Sequence, residues 1–170
     1  TPSLSVTPSS LSGFVYVTDN GPSISQSFSL AGSNLTGAAG NITVNGSTNY
    51  EVSADNSTFS GSINIPFETS TLAATPVYVR LKAGREAGLY NAEQIAVQGG
   101  GAASVNVTCG GSVISTLAAP VATAATTVTS GSFSANWSTS PGAKGYQLDV
   151  ASDDAFASLL SGYNNLDVSN

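Results

Sequence analysis

Apolar and small polar residues alternate along most of this chain. Ile24, Gln26, Phe28 and Leu30 share one parity, while Ser25, Ser27 and Ser29 take the other. The same two-residue period runs through Ile42 and Val44, then Tyr50 and Val52, then Ile63, Ile65 and Phe67. It returns in Val77, Val79 and Leu81, and again in Val105, Val107 and Cys109. Successive side chains of a strand point to opposite sheet faces, so each run predicts a strand with one buried face and one Ser/Thr-rich solvent face. Turn-forming stretches separate the runs: Asp19-Asn20-Gly21-Pro22, Asn45-Gly46, Asp55-Asn56, Ala83-Gly84 and Gly99-Gly100-Gly101. Asn45-Gly46 between two alternating runs reads as a hairpin. No stretch sustains a 3.6-residue apolar period, and a helical turn is expected only at Asp153–Leu160. The expected class is all-β, built as an antiparallel β-sandwich.

The pattern pauses after Val113, and Ser115–Pro120 reads as a linker. A second strand series follows. Phe133, Ala135 and Trp137 share a face, Pro141-Gly142-Ala143 makes a turn, and Tyr146, Leu148 and Val150 share the next face. A last strand is expected around Leu166 and Val168. The expected organisation is a sandwich over residues 1–114, a linker over 115–120 and a second β unit over 121–170. A full sandwich takes about 100 residues. The second unit is therefore expected to be truncated, or completed by another segment.

Composition narrows the chemistry. Of 170 residues only 8% are charged, none is His or Met, and one is Cys. Without His there is no Ser-His-Asp or Cys-His machinery and no imidazole metal ligand. A single Cys forms no internal disulfide and no thiolate zinc site. The four cations are Arg80, Lys82, Arg85 and Lys144, and the net charge is −6, which argues against nucleic acid as a partner. No apolar run is long enough for a helical membrane span, so no membrane insertion is expected. Thr1 follows no initiator Met or signal-like segment and is read as lying after a processing or engineered boundary. Ser and Thr together number 45, but the hydrophobic content of 41% sets the chain apart from disordered sequences.

Particular residues carry the resemblance to a family. The stretches "LSVTPSSLSGFVY", "SQSFSLAGSNLTG", "NITVNGSTNYEVSADNSTF", "VYVRLKAGREAGLYNAEQIAV" and "VNVTCGGSV" lie within residues 2–113. This segment resembles the immunoglobulin-like repeats of large secreted proteins from bacteria that use type IX secretion. Residues 118–170, with "AAPVATAATTVTSGSFSANW" and "GAKGYQLDVASDDAFASLLSGYNNLDV", resemble the first half of a fibronectin type III domain from the same proteins. There Trp137 matches the core tryptophan of the second strand, and Tyr146 the aromatic that opens the third. The family's later strands, with a Leu-Pro-Gly turn and a Tyr-rich strand, are missing here.

The resemblance implies a non-catalytic spacer or adhesion module of a larger secreted or cell-surface protein. Its partners would be neighbouring domains of the parent chain, with a glycan or surface protein as a further candidate. Alternatives are a glycan- or protein-binding accessory module of a secreted hydrolase, and a subunit completed by a neighbour's strand. No catalytic residue, cofactor or shared metal site is implied.

The candidate sites are few. Trp137 and Tyr146 are candidates for stacking on a sugar ring, against the competing reading of a core pair. Asp149, Asp153 and Asp154 are candidate calcium ligands, although no D-x-D-x-D-G loop exists. Asp153 is otherwise expected to cap the short turn that follows it. Arg80, Lys82 and Arg85 form a small basic group, with an exposed strand face or a charge-protected edge as the competing reading. Cys109 is expected to face the core. Six N-x-S/T triplets, at Asn34, Asn41, Asn45, Asn56, Asn106 and Asn136, would be glycan acceptors only in a eukaryotic secreted protein.

Overall fold

The computed structural model describes residues 1–168, and among them there is no helix. The chain divides into two compact units, Thr1–Thr116 and Leu117–Asn170, with the boundary inside the expected linker.

The first unit contains nine strands. They are β1 (Ser3–Thr7), β2 (Ser10–Val17), β3 (Gln26–Ser33), β4 (Gly40–Asn45), β5 (Tyr50–Ser53), β6 (Ser62–Phe67), β7 (Leu72–Leu81), β8 (Gly88–Gly99) and β9 (Ala102–Ile114). Four form one sheet in the order β1-β3-β7-β5, and five form another in the order β2-β9-β8-β4-β6. Phe28, Leu30, Val52, Val77, Val79 and Leu81 of the first sheet join Ile42, Val44, Ile95, Val97, Val107 and Cys109 of the second in one buried cluster. That is a β-sandwich-like packing. Each fully buried Val, Leu, Ile or Phe contributes about 1.5–3 kcal/mol, so this cluster outweighs every polar contact in the unit.

Chain crossings close both lateral sides of the sandwich. At one side β1 pairs with β3 and β2 pairs with β9, so the chain changes sheet within Pro8–Ser9. At the other, β4 and β6 pair in the five-stranded sheet while the intervening β5 pairs with β7 in the other. The β6 edge carries the exposed Pro66, which has no amide to offer a neighbouring strand.

Several expectations change on contact with the structure. Asn45-Gly46 is not a hairpin turn, because the strands that flank it lie in different sheets. Gly46 is needed instead for close approach: its amide donates to the Gly61 carbonyl at 2.8 Å, and a Cβ there would lie 2.6 Å from the Tyr50 carbonyl oxygen. Ile24 does not extend the β3 alternation. It is 89% exposed, because the Ser23 amide is tied to the Leu81 carbonyl just before it. Leu11, Phe14 and Tyr16 of β2 are buried although their spacing breaks the two-residue period. The reason is Gly13, which adopts φ 79° where the β2–β9 register shifts.

Tyr16 also fastens the β7–β8 loop. Its hydroxyl donates to the Lys82 carbonyl at 2.8 Å and accepts the Arg85 amide at 3.0 Å. Tyr16→Phe leaves both backbone groups without this partner. The expected loss is about 1–3 kcal/mol in a urea titration, with an unchanged denaturant slope.

The second unit contains β10 (Ala122–Thr126), β11 (Ser134–Trp137), β12 (Tyr146–Leu148) and β13 (Leu166–Val168). They form two separate antiparallel ladders, β10-β11 and β12-β13. The helical turn expected at Asp153–Leu160 is not formed, because Phe156 takes a left-handed φ of 54°. Phe133 precedes β11 instead of lying within it, and it is 49% exposed.

Candidate functional site

The aromatic pair is formed. The Trp137 and Tyr146 rings lie 5.6 Å apart between centroids at an interplanar angle of 61°, an edge-to-face contact. β11 carries Trp137 opposite Ala122, and β12 carries Tyr146 opposite Val168. The Tyr146 hydroxyl accepts the Ser140 amide at 2.9 Å. A cleft runs beside the pair, with Leu148 and Phe156 also lining it. Alternation along β12 places Tyr146 and Leu148 on one face and Gln147 on the other. Accordingly Gln147 Nε2 donates to Asp167 Oδ1 at 3.3 Å, within the β12–β13 ladder. Sugar hydroxyls need polar side chains beside the aromatic ring. Gln147 and Asp149 also line the cleft, but their side chains are engaged by Asp167 and by the Asn165 amide.

The acidic candidates serve the backbone. Asp149 Oδ1 accepts the Asn165 amide at 2.6 Å. Asp153 accepts the Ala157 amide at 2.9 Å and the Ser158 amide at 2.8 Å. These bonds, that from Ala157 first, hold the Asp153 carboxyl below its ordinary range. The expected capping role of Asp153 thus survives without a helix. Asp154 shares in neither arrangement. Among the described residues no group of three or more His, Cys, Asp or Glu is placed to hold a metal ion.

Asp55 makes the tightest such turn. Its Oδ1 accepts the Ser57 and Thr58 amides, each at 2.8 Å, and the Ser53 hydroxyl at 2.8 Å. Led by the Thr58 amide, these bonds lower its pKa from 3.8 to about 2. The folded value lies below the unfolded one, so the contribution is complete above about pH 4 and is lost as pH falls through the folded value. A carbon-detected NMR titration should place the Asp55 midpoint near 2. Asp55→Asn should remove this acid-dependent loosening of the turn.

The basic group is spent internally. Arg80 lies on β7, a central strand, and not on a charge-protected edge. Its Nε lies 2.7 Å from Glu51 Oε1, and its guanidinium carbon stands 3.8 Å above the centre of the Phe59 ring. Lys82 Nζ donates to the Ser47 and Thr48 carbonyls, both at 2.9 Å. Arg85 Nη1 donates to Asn49 Oδ1 at 3.2 Å.

Sequence patterning did not foresee the cluster these residues join. Glu93 accepts the Asn49 amide at 3.0 Å and Asn49 Nδ2 at 2.6 Å. Burial alone would raise the Glu93 carboxyl. Hydrogen bonds from Ser47 and Asn49, with Lys82 nearby, outweigh it and hold the group below its usual range. The cluster pins the β4–β5 and β7–β8 loops to β8. Glu93 sits just past a register shift between Tyr90 and Glu93, where Ala92 has φ 60°, so no simple alternation marks it.

Cys109 is buried on the core side of β9, and burial, then the Glu93 charge, push its thiol up to about 12. Such a thiol is a poor nucleophile at neutral pH.

A scan against protein-family models finds no match, and a search of curated proteins finds none.

Proposed function

We propose that the chain is a non-catalytic spacer or adhesion module of a larger secreted or cell-surface protein, with an immunoglobulin-like unit followed by an incomplete fibronectin type III-like one. The strand pairing at the two ends of the first unit carries this reading. β2, near the start, and β9, at the end, pair in parallel, from Ser10 opposite Thr108 to Val17 opposite Ile114. Tension applied through residues 1 and 116 meets the β1–β3 ladder first and, once β1 detaches, pulls on opposite ends of the β2–β9 ladder. Its hydrogen bonds are then loaded together, in shear. A module that transmits force along a chain needs that geometry, and an enzyme scaffold does not. The Ser/Thr-rich outer faces and the net charge of −6 suit a solvated surface outside the cell.

Single-molecule pulling tests the reading. Handles at residues 1 and 116 load the β2–β9 ladder in shear once β1 has detached. Handles at Ala39 and Glu68, flanking the Gly40–Phe67 register pair, peel β6 from β4 one bond at a time. The rupture force should be several-fold higher in the first geometry. Equal forces, or a lower force through the ends, would contradict a load-bearing role.

A further inference from the structure

We propose that Asn20-Gly21 is a site of spontaneous backbone modification, where the asparagine of the folded protein converts to isoaspartate and aspartate, and the isoaspartate loosens the hold of Tyr16 on the β7–β8 loop. The inference rests on the first unit alone and stands apart from the spacer reading.

The chain holds two Asn-Gly pairs, Asn20-Gly21 and Asn45-Gly46. In such a pair the glycine amide nitrogen can attack the asparagine Cγ. A bond forms between that nitrogen and Cγ, the Cγ–Nδ2 bond breaks, and ammonia leaves with the proton that the amide nitrogen gives up. Solvent water then opens the resulting succinimide. Attack at Cγ gives aspartate. Attack at the main-chain carbonyl carbon gives isoaspartate, with one extra carbon in the backbone. A side chain on the following residue hinders the ring closure, and glycine has none. The two pairs share this chemistry and differ in their surroundings.

Asn45 is locked. It is the last residue of β4, opposite Ser62 on one side and Ala96 on the other. Its Oδ1 accepts the Ser62 hydroxyl at 2.9 Å, and the Gly46 amide donates to the Gly61 carbonyl at 2.8 Å. Ring closure there has to break both bonds and turn the end of a paired strand. Asn20 is exposed in the turn that follows β2. Neither its carboxamide nor the Gly21 amide has a hydrogen-bond partner among the described residues. Packing explains why glycine stands at position 21. A Cβ there would lie 2.6 Å from the Tyr16 ring and 3.0 Å from the Ala83 Cα. The missing side chain that lets the backbone pass Tyr16 also leaves the Gly21 nitrogen open to the Asn20 carboxamide. An isoaspartate at position 20 lengthens the backbone at this contact. The Tyr16 hydroxyl accepts the Arg85 amide at 3.0 Å, so displacing the ring loosens that bond.

Peptide mass spectrometry of the full chain, aged in mildly alkaline heavy-oxygen water, reads the conversion. Asn20 should take up solvent oxygen as a mixture of isoaspartyl and aspartyl peptides. It should do so at least about tenfold faster than Asn45, which must first lose two hydrogen bonds. In denaturant the two rates should converge. Hydrogen exchange supplies the second readout. The Arg85 amide should exchange several-fold faster in the purified isoaspartyl form than in fresh protein. Asn20→Asp adds the charge without the extra carbon and should leave that amide unchanged. An unmodified Asn20, equal conversion of Asn45 in the folded chain, a rate difference that persists in denaturant, or an Arg85 amide indifferent to the isoaspartate would each overturn the proposal.

Discussion

Gly111→Val should destabilise the first unit by about 3 kcal/mol or more, at the upper end of what overpacking costs. Gly111 lies on β9 between Phe14 of β2 and Tyr90 of β8, with the core parity of Val107 and Cys109. A Cβ there would lie 2.7 Å from the Phe14 Cβ and 3.0 Å from the Tyr50 hydroxyl, and closer still to the Phe14 carbonyl oxygen. Backbone cannot rotate aside as a flexible side chain can. The missing side chain also opens the path by which Tyr50 crosses the core. The Tyr50 ring meets Phe14 edge-on, with centroids 5.2 Å apart. Its hydroxyl then donates to the Tyr90 carbonyl of the opposite sheet at 2.8 Å. Burial, followed by the Cys109 and Glu93 charges, raises the Tyr50 pKa far above its usual value, so the phenol remains a donor at any working pH. Chemical denaturation read by tyrosine fluorescence should show the loss. Gly111→Ala should fall between wild type and Gly111→Val.

Phe28→Ala should cost about 3–5 kcal/mol, the range for emptying a buried phenylalanine site. Phe28 is 1% exposed and sits on β3, which is paired on both sides by β1 and β7. Those neighbours hold the strand in place and limit collapse into the cavity. The same change at Ile24, four residues earlier and 89% exposed, should shift the midpoint hardly at all. The contrast separates true core parity from the apparent continuation of it in the sequence.

What the sequence revealed depended on undisturbed alternation. Val77, Val79 and Leu81, and likewise Val107 and Cys109, point inward as their parity requires. Where a residue with left-handed φ interrupts a strand, the signal fails. Gly13 shifts the phase of β2 and conceals Leu11, Phe14 and Tyr16, and Ala92 does the same before Glu93. Pairing partners were less legible still. Asn45-Gly46 has the composition of a hairpin turn, but the packing of Gly46 against the Tyr50 carbonyl sends the next strand to the other sheet. The parallel pairing of β2 with β9 joins residues 97 or 98 positions apart, and no local pattern encodes it. At the candidate site, the Trp137–Tyr146 contact follows from strand parity. The engagement of Asp149 and Asp153 by backbone amides depends on loop paths that spacing alone does not fix.

The first unit is held by apolar side chains closed off between two sheets, while the equivalent face of the second unit stays open. Hydrogen exchange read by mass spectrometry on dilute protein tests that difference most directly. Amides in the central strands β7 and β9, around Val79 and Val107, should exchange only through global unfolding, orders of magnitude more slowly than those of β11 and β12 around Ala135 and Leu148. Equal exchange in the two regions, or rapid exchange at Val79 and Val107, would contradict the account.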